Sequence, residues 1–195
     1  DADELFDKDY AYFSSTSSSF LKHAKQYSED IIQELSLNKE SFVIEVAAND
    51  GYLLKNFKKV DIPCLGIEPT NSTARAAMDL GIPILQSFFS HELGKELKKK
   101  KKQADLIIGN NVFAHVPDIN SFTRGLKEVL KPEGTITLEF PHLMKMMVFN
   151  QFDTIYHEHF SYLSLTTVQN IFNTFDLRIY KVEELTTHGG SLRIF

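Results

Sequence analysis

From Ser41 onward the chain alternates short apolar runs with stretches of helical periodicity, and few folds accommodate that alternation. Runs at 42–46, 64–67, 82–85, 104–108 and 135–138 predict strands, and stretches at 52–57, 72–80, 91–100, 120–130 and 166–174 predict helices. Strands separated by helices pair in parallel through crossovers, which are right-handed in nearly all cases. The expected fold is therefore α/β, a mostly parallel sheet with helices on both faces. Two further strand candidates, 177–182 and 191–195, flank a turn containing Gly189 and Gly190 and bring the count to seven. Ahead of this rhythm, residues 1–17 are acidic, then aromatic and serine-rich, and Leu21, Ile31, Ile32 and Leu35 predict an amphipathic helix. Residues 1–40 are accordingly expected to be a helical attachment to a core at 41–195.

The rhythm breaks at Pro141, and residues 141–163 gather methionine, phenylalanine, tyrosine and histidine, the composition of an inserted active-site cap. With 195 residues, 43% of them hydrophobic and 24% charged, the chain has the makings of one ordinary globular domain. No apolar stretch approaches the roughly 20 residues that span a bilayer, and no signal peptide is recognisable, so a cytoplasmic location is expected. Cys64 is the single cysteine and sits in an apolar run, as a small buried hydrophobe does. A net charge of −5 gives no reason to hold nucleic acid, and the lysine run at 98–102 reads as a solvated helix end. No membrane or nucleic-acid partner is expected, and the oligomeric state is left open. Because the last residue, Phe195, falls inside a strand candidate, the natural protein is expected to continue beyond it.

Glu45, Val46, Ala47, Ala48, Asn49, Asp50, Gly51 and Tyr52 form a strand end, a turn of small residues and a helix start, the place where open α/β sheets bind ligands. Backbone N–H groups there favour an anionic group such as the carboxylate of S-adenosylmethionine (SAM). A dinucleotide fits less well, since only Gly51 of the usual glycine triplet is present and bulky Tyr52 follows it. Ala47, Asn49, Gly51 and Tyr52 are thus candidate cofactor contacts. Glu68 ends the second strand about 20 residues after the turn, the spacing of a carboxylate that accepts hydrogen bonds from both ribose hydroxyls. Ser87 and Phe88 would border the adenine, and Asn110 and Asn111 the methionyl amine. A core phenylalanine and a turn-capping asparagine pair are the plainer readings of Phe88 and of Asn110 with Asn111.

Within the cap, residues 152–162 concentrate ionisable and aromatic groups, among them Tyr156, His157, Glu158 and His159. Successive side chains of an extended segment point opposite ways, so Glu158 is set against the two histidines, and one histidine is expected to face the reacting groups while the other is held structurally. Histidine suits proton abstraction near neutral pH, and an adjacent carboxylate or tyrosine can orient it. Zinc is a competing reading, disfavoured because the spacing is not that of a HExxH helix and sulfur ligands are lacking, so no metal is expected. His115, following the asparagine pair, would complete the site.

The runs EVAANDGYLL, GIEP, NNVFAHVPDI, EFPHL, FDTIYHEHFSYLSL and THGGSLR together resemble the SAM-dependent deoxysugar C-methyltransferases that act at C3 of nucleotide-linked 4-keto sugars. The resemblance runs from about Tyr10 to the last residue. It implies the class I SAM-dependent methyltransferase (Rossmann-like) fold, SAM as cofactor and a nucleotide-sugar substrate in deoxysugar biosynthesis. It also implies a mechanism in which a base removes the C3 proton made acidic by the 4-keto group, and the enolate attacks the SAM methyl group. By position in the motif His159 would be the base, with Tyr156 and Glu158 orienting base or sugar and His115 hydrogen-bonding the keto or enolate oxygen. His188, Ser191 and Arg193 would meet the sugar nucleotide, Arg193 through a bidentate phosphate contact. Relatives carry a cysteine-rich zinc-binding region before this core and a further domain after it, neither of which is in this sequence. Two alternatives stand beside this reading: methyl transfer to oxygen or nitrogen of a small metabolite, and a non-catalytic Rossmann-like binding module.

Overall fold

A computed structural model of the chain describes residues 13–195. Tyr10, where the family resemblance starts, and the acidic opening of the expected attachment lie outside the described residues. By contacts the chain gathers into two compact units. One runs up to Phe88 and includes Ala104–Leu106; the other comprises Phe89–Gln103 and Ile107–Phe195.

In the first unit a 3-10 turn, Ser14–Thr16, leads into α1 (Ser18–Glu34), whose N-cap Ser17 side chain accepts from the Phe20 N–H. Ala24, Tyr27 and Ile31 fall on one face at helical spacing and are buried, so the amphipathic pattern is met. Strand β1 (Val43–Val46) is followed by α2 (Leu54–Lys59), β2 (Cys64–Ile67), α3 (Asn71–Asp79) and β3 (Ile84–Leu85). β1 and β2 are buried at every position, as parallel strands covered on both faces must be. β1 pairs in parallel with β2, and β2 with β3.

In the second unit α4 (His91–Lys99) precedes β4 (Ala104–Asn110), which begins in the first unit. Then come α5 (Ile119–Val129), β5 (Leu130–Pro141), α6 (Leu143–Val148), α7 (Leu165–Thr174), β6 (Val182–Leu185) and β7 (Ser191–Ile194). The sheet has seven strands in the order β3-β2-β1-β4-β5-β7-β6, so the progression reverses at β1, and β7 runs antiparallel to both its neighbours. Phe113, Phe122, Phe140 and Phe172 cluster in the core, with Phe113 within 5.8 to 6.1 Å of the other three rings.

Two expectations shift. The sixth strand lies at Val182–Leu185 and not at 177–182, although Tyr180 N–H still donates to the Phe195 carbonyl at 2.9 Å. β6 is the outer strand of its edge, so its residues alternate between half-buried and exposed and two of them are glutamates. The apolar run that predicted it is the approach to the ladder. β5 spans 12 residues where the apolar run marked only 135–138, because residues 130–134 are half-buried or exposed and lack that pattern.

α4 and α5 meet backbone to backbone. A Cβ on Gly94 would lie 2.7 Å from the Gly125 carbonyl oxygen and 2.8 Å from its Cα, neither of which can swing aside. Gly94→Ala is therefore expected to destabilise by about 1–3 kcal/mol through overpacking, even though alanine is the better helix former. Thermal unfolding checks this, and a gain in stability would contradict the close helix contact.

Candidate active site

The turn after β1 is built on left-handed backbone: φ is +58° at Ala47, +50° at Asn49 and +75° at Gly51. Non-glycine residues in this region cost of order 1–3 kcal/mol each and persist only where surroundings hold them. The holder is Glu68, 5% exposed at the end of β2. Its Oε2 accepts from the Asn49 N–H at 2.9 Å, and its Oε1 accepts from the Thr70 N–H at 3.0 Å and the Thr73 hydroxyl at 3.1 Å. A carboxylate offers about four accepting positions, so roughly one is left for a ligand.

The Ser14–Thr16 turn seals the same loop. Ser14 N–H donates to Asn49 Oδ1 at 2.9 Å and Ser15 N–H to Asp50 Oδ2 at 3.0 Å. Tyr52 is buried, its ring 6.2 Å from that of Phe20 on α1. Gly51 is required for packing as well as for its φ, since a Cβ there would strike Ile82 and approach Ala77 at 3.2 Å. Ser87 donates its hydroxyl to the Phe88 carbonyl at 3.1 Å, and Phe88 is 41% exposed. These placements put Ala47, Asn49, Gly51 and Glu68 together at the ends of β1 and β2.

Glu45 and Asp50 escaped the sequence reading as functional groups. Both are buried, and Glu45 Oε2 and Asp50 Oδ1 have no hydrogen-bond partner. Burial pushes the Glu45 carboxyl well above the usual carboxylate range, and the charges of Glu68 and Asp50 push it further the same way. The signal was present as three acids at two strand ends, but only the fold shows that they share one site. Unpaired acceptors in a negatively charged setting, beside backbone N–H groups and one open position on Glu68, fit SAM, which brings a cationic sulfonium, an ammonium and ribose hydroxyls.

In the second unit Asn110 ends β4, 9% exposed, with Oδ1 unpaired. Asn111 follows at φ +55° and donates its N–H to the Glu139 carbonyl at 2.8 Å. The cap leaves and returns at one point, where His142 and Leu163 form an isolated parallel bridge. Inside it the 3-10 turn Phe152–Thr154 precedes the histidine stretch, which is stitched to a second 3-10 turn, Phe113–His115, by the Phe160 and Ser161 N–H groups donating to the Ala114 carbonyl.

That stitching brings His115 and His159 together, ring centroids 4.7 Å apart. His159 Nδ1 lies 2.8 Å from the Thr154 carbonyl oxygen, and His115 Nδ1 lies 2.9 Å from that of Glu158. Carbonyls only accept, so both Nδ1 atoms carry protons, and in the neutral rings both Nε2 atoms are bases. Tyr156 stands 3.2 Å from His159 Nε2 and donates its hydroxyl to it. Glu158 contributes its backbone carbonyl to the cluster and His157 is exposed. A neutral His115 held this way has no Nε2 proton to give, so a bond from it to an enolate oxygen requires its charged form.

The THGGSLR residues are placed differently from expectation. His188 lies in the 3-10 turn Thr187–Gly189, and its side chain is outside the described residues. Ser191 is buried and donates its hydroxyl to the Thr187 carbonyl at 3.0 Å. Arg193 is 7% exposed and its guanidinium is engaged by Glu139, 2.8 Å from Nε, and by Glu183, 2.9 Å from Nη1. The bidentate phosphate contact expected of Arg193 is instead a bidentate carboxylate contact across three strands, because a cation in a buried ladder must be neutralised on the spot. Among the described residues no group of three or more metal-binding side chains is gathered, and no helix is long and apolar enough to cross a membrane.

Glu45 gives a pH test. The folded chain keeps a proton on Glu45 that the unfolded chain releases above the ordinary value of 4.5, so folding takes up a proton and stability falls as pH rises from there toward the raised folded value. Glu45→Gln, which mimics the protonated acid, is expected to flatten that fall and to raise Tm at pH about 8 by at least roughly 2–4 °C, the equivalent of about 1 kcal/mol. Unfolding curves across pH read this directly. A lower Tm than the parent at that pH would mean that Glu45 is charged in the fold.

A profile described as a methyltransferase domain matches residues 20–182. The C-methyltransferase NovU of Streptomyces niveus is 33% identical over 186 residues, 95% of this chain but 44% of that protein, so the chain spans less than half of this relative's length. Among solved structures, the magnesium protoporphyrin IX methyltransferase ChlM of Synechocystis with bound SAH superposes with TM-score 0.68 at 11% identity, covering 98% of this chain and 90% of that one. A SAM-dependent methyltransferase from Anabaena variabilis superposes with TM-score 0.69 at 15% identity, covering 87% and 82%. At such identities the superpositions establish the class I fold, and the profile match carries the family: the chain belongs to the methyltransferase-domain family.

Proposed function

We propose that the protein transfers a methyl group to carbon, at C3 of a nucleotide-linked 4-keto deoxysugar. The observation that carries the reading is the fixed tautomer of His159: a backbone carbonyl holds the proton on Nδ1 and leaves Nε2 as a base beside a phenolic hydroxyl. Methylation of an oxygen or nitrogen nucleophile needs far less of such a base than removal of a carbon-bound proton. The relative's name, a C-methyltransferase, supports the same choice.

SAM, when bound, supplies an electrophilic methyl group. Glu68 would accept from one ribose hydroxyl, Asn49 and Ala47 would present the strained turn to the methionyl end, and Phe88 would cover the adenine. His159 Nε2 takes the C3 proton, acidified by the neighbouring keto group. As negative charge gathers on the keto oxygen, the Tyr156 hydroxyl turns from Nε2 to donate to it, a hydrogen bond that strengthens as charge develops. Arg193, already paired with Glu139 and Glu183, would serve the sheet and not a phosphate.

Calorimetric titration with SAM and S-adenosylhomocysteine is the test. Micromolar binding is expected for the parent chain and for His159→Ala. Glu68→Ala should weaken it at least about tenfold, since the change removes both a ligand acceptor and the bond that fixes the turn. A folded parent chain that binds neither ligand would overturn the cofactor assignment, and loss of binding in His159→Ala would remove the histidine from the chemistry.

A further inference from the structure

We infer that Gln151, a residue outside both the cofactor turn and the histidine cluster, is a positioning residue that sets the tautomer of His159 through the backbone. The inference rests on the reading of His159 as the base. Its path is a chain of hydrogen bonds. Gln151 Nε2 donates to the Gly189 carbonyl at 2.7 Å. The Gln151 carbonyl accepts the Thr154 N–H at 3.2 Å, closing the 3-10 turn Phe152–Thr154. The Thr154 carbonyl in turn receives the proton of His159 Nδ1 at 2.8 Å.

Each link has a physical reason to matter. The turn of three residues has no buried side chain, and Phe152 is 74% exposed, so packing does not hold it. The cap is fastened to the β6–β7 connection in three ways: His142 N–H donates to the Gly190 carbonyl at 3.1 Å, Lys145 pairs with Glu184 at 3.0 Å, and Gln151 reaches Gly189. The ion pair is exposed, 38% and 65% on its two sides, and such pairs contribute little. The His142 bond lies at the base of the cap. Gln151 is the fastener adjoining the turn that carries the Thr154 carbonyl. Gly189 leaves room for it: φ is +74°, and a Cβ there would lie 2.6 Å from Gln151 Nε2. The glycine of THGG that the sequence presents as a flexible turn residue is, on this account, the seat of the amide.

If the anchor is lost, the turn drifts, the Thr154 carbonyl no longer holds Nδ1, and His159 takes the other tautomer with its proton on Nε2. A ring in that form cannot accept a proton at the atom that Tyr156 addresses.

The experiment is long-range 1H–15N correlation on the ligand-free chain labelled at histidine, with His159 assigned by its disappearance in His159→Ala. The parent should show His159 as the Nδ1–H form. Gln151→Met, which keeps volume but cannot donate, should convert that signal to a mixture or to the Nε2–H form while the chain stays folded. Gly189→Ala, which displaces the amide without touching Gln151, should do the same and serves should the first variant fold poorly. A folded variant of either kind that keeps the Nδ1–H form overturns the inference. Since no substrate enters this measurement, its outcome is independent of the reaction: a tautomer shift in Gln151→Met alongside full activity in His159→Ala would uphold the anchor and sink the base.

Discussion

Ala47, Asn49 and Gly51 occupy the left-handed region of backbone space within five residues, and one carboxylate holds the middle of the turn through the Asn49 N–H. Glu68 spends three of its accepting positions on the Asn49 N–H, the Thr70 N–H and the Thr73 hydroxyl. The cofactor turn is thereby formed before any ligand arrives, and binding need not supply its ordering cost. The arrangement has an electrostatic consequence. Three buried carboxyl groups, Glu45, Asp50 and Glu68, share the ends of two strands, and Glu45, the most deeply buried, yields by keeping its proton. The same environment explains why burial, with Glu45 nearby, pushes the Cys64 thiol up to about 11, leaving it inert as a nucleophile.

The second unit solves a different problem with the same device, a backbone constraint that fixes chemistry. Neither His115 nor His159 has its Nδ1 proton held by a carboxylate side chain; backbone carbonyls at Glu158 and Thr154 hold them. A carbonyl fixes the tautomer without adding a full negative charge that would make the ring more basic. At the antiparallel end of the sheet the Arg193 guanidinium ties Glu139 on β5 to Glu183 on β6. Burial alone would push Glu183 up, but bonds from Lys181 and Arg193 outweigh it and hold its carboxyl below the usual range. Removing Arg193 would leave two carboxylates facing each other.

Strand and helix placement in the core was legible because parallel strands bury both faces, so Cys64–Ile67 reads as an unbroken apolar run and Val43–Val46 as one broken only by Glu45. β6 was not, because an edge strand carries Glu183 and Glu184 where the eye seeks hydrophobes. Glu68, His115, Tyr156 and His159 were legible as candidates from spacing and local density. What they do was less so. The sequence suggests that Glu68 waits for two hydroxyls, whereas the fold has already committed most of its lone pairs. The family resemblance offers Arg193 to a phosphate, whereas cross-strand register brings Glu139 and Glu183 to the same level as Arg193. The carbonyl of Thr154 has no sequence signature at all, since every residue carries one and only the turn that aims it gives it a role.

The claim on which the account stands is that His159 removes a proton from carbon. Deuterium wash-in measures that step alone: the chain is incubated in D2O with S-adenosylhomocysteine and a nucleotide-linked 4-keto-6-deoxy sugar, and proton NMR follows C3. The account predicts that deuterium replaces the C3 proton without any methylated product, and that His159→Ala abolishes the exchange while retaining S-adenosylhomocysteine binding. Exchange at an undiminished rate in that folded, ligand-binding variant would contradict it.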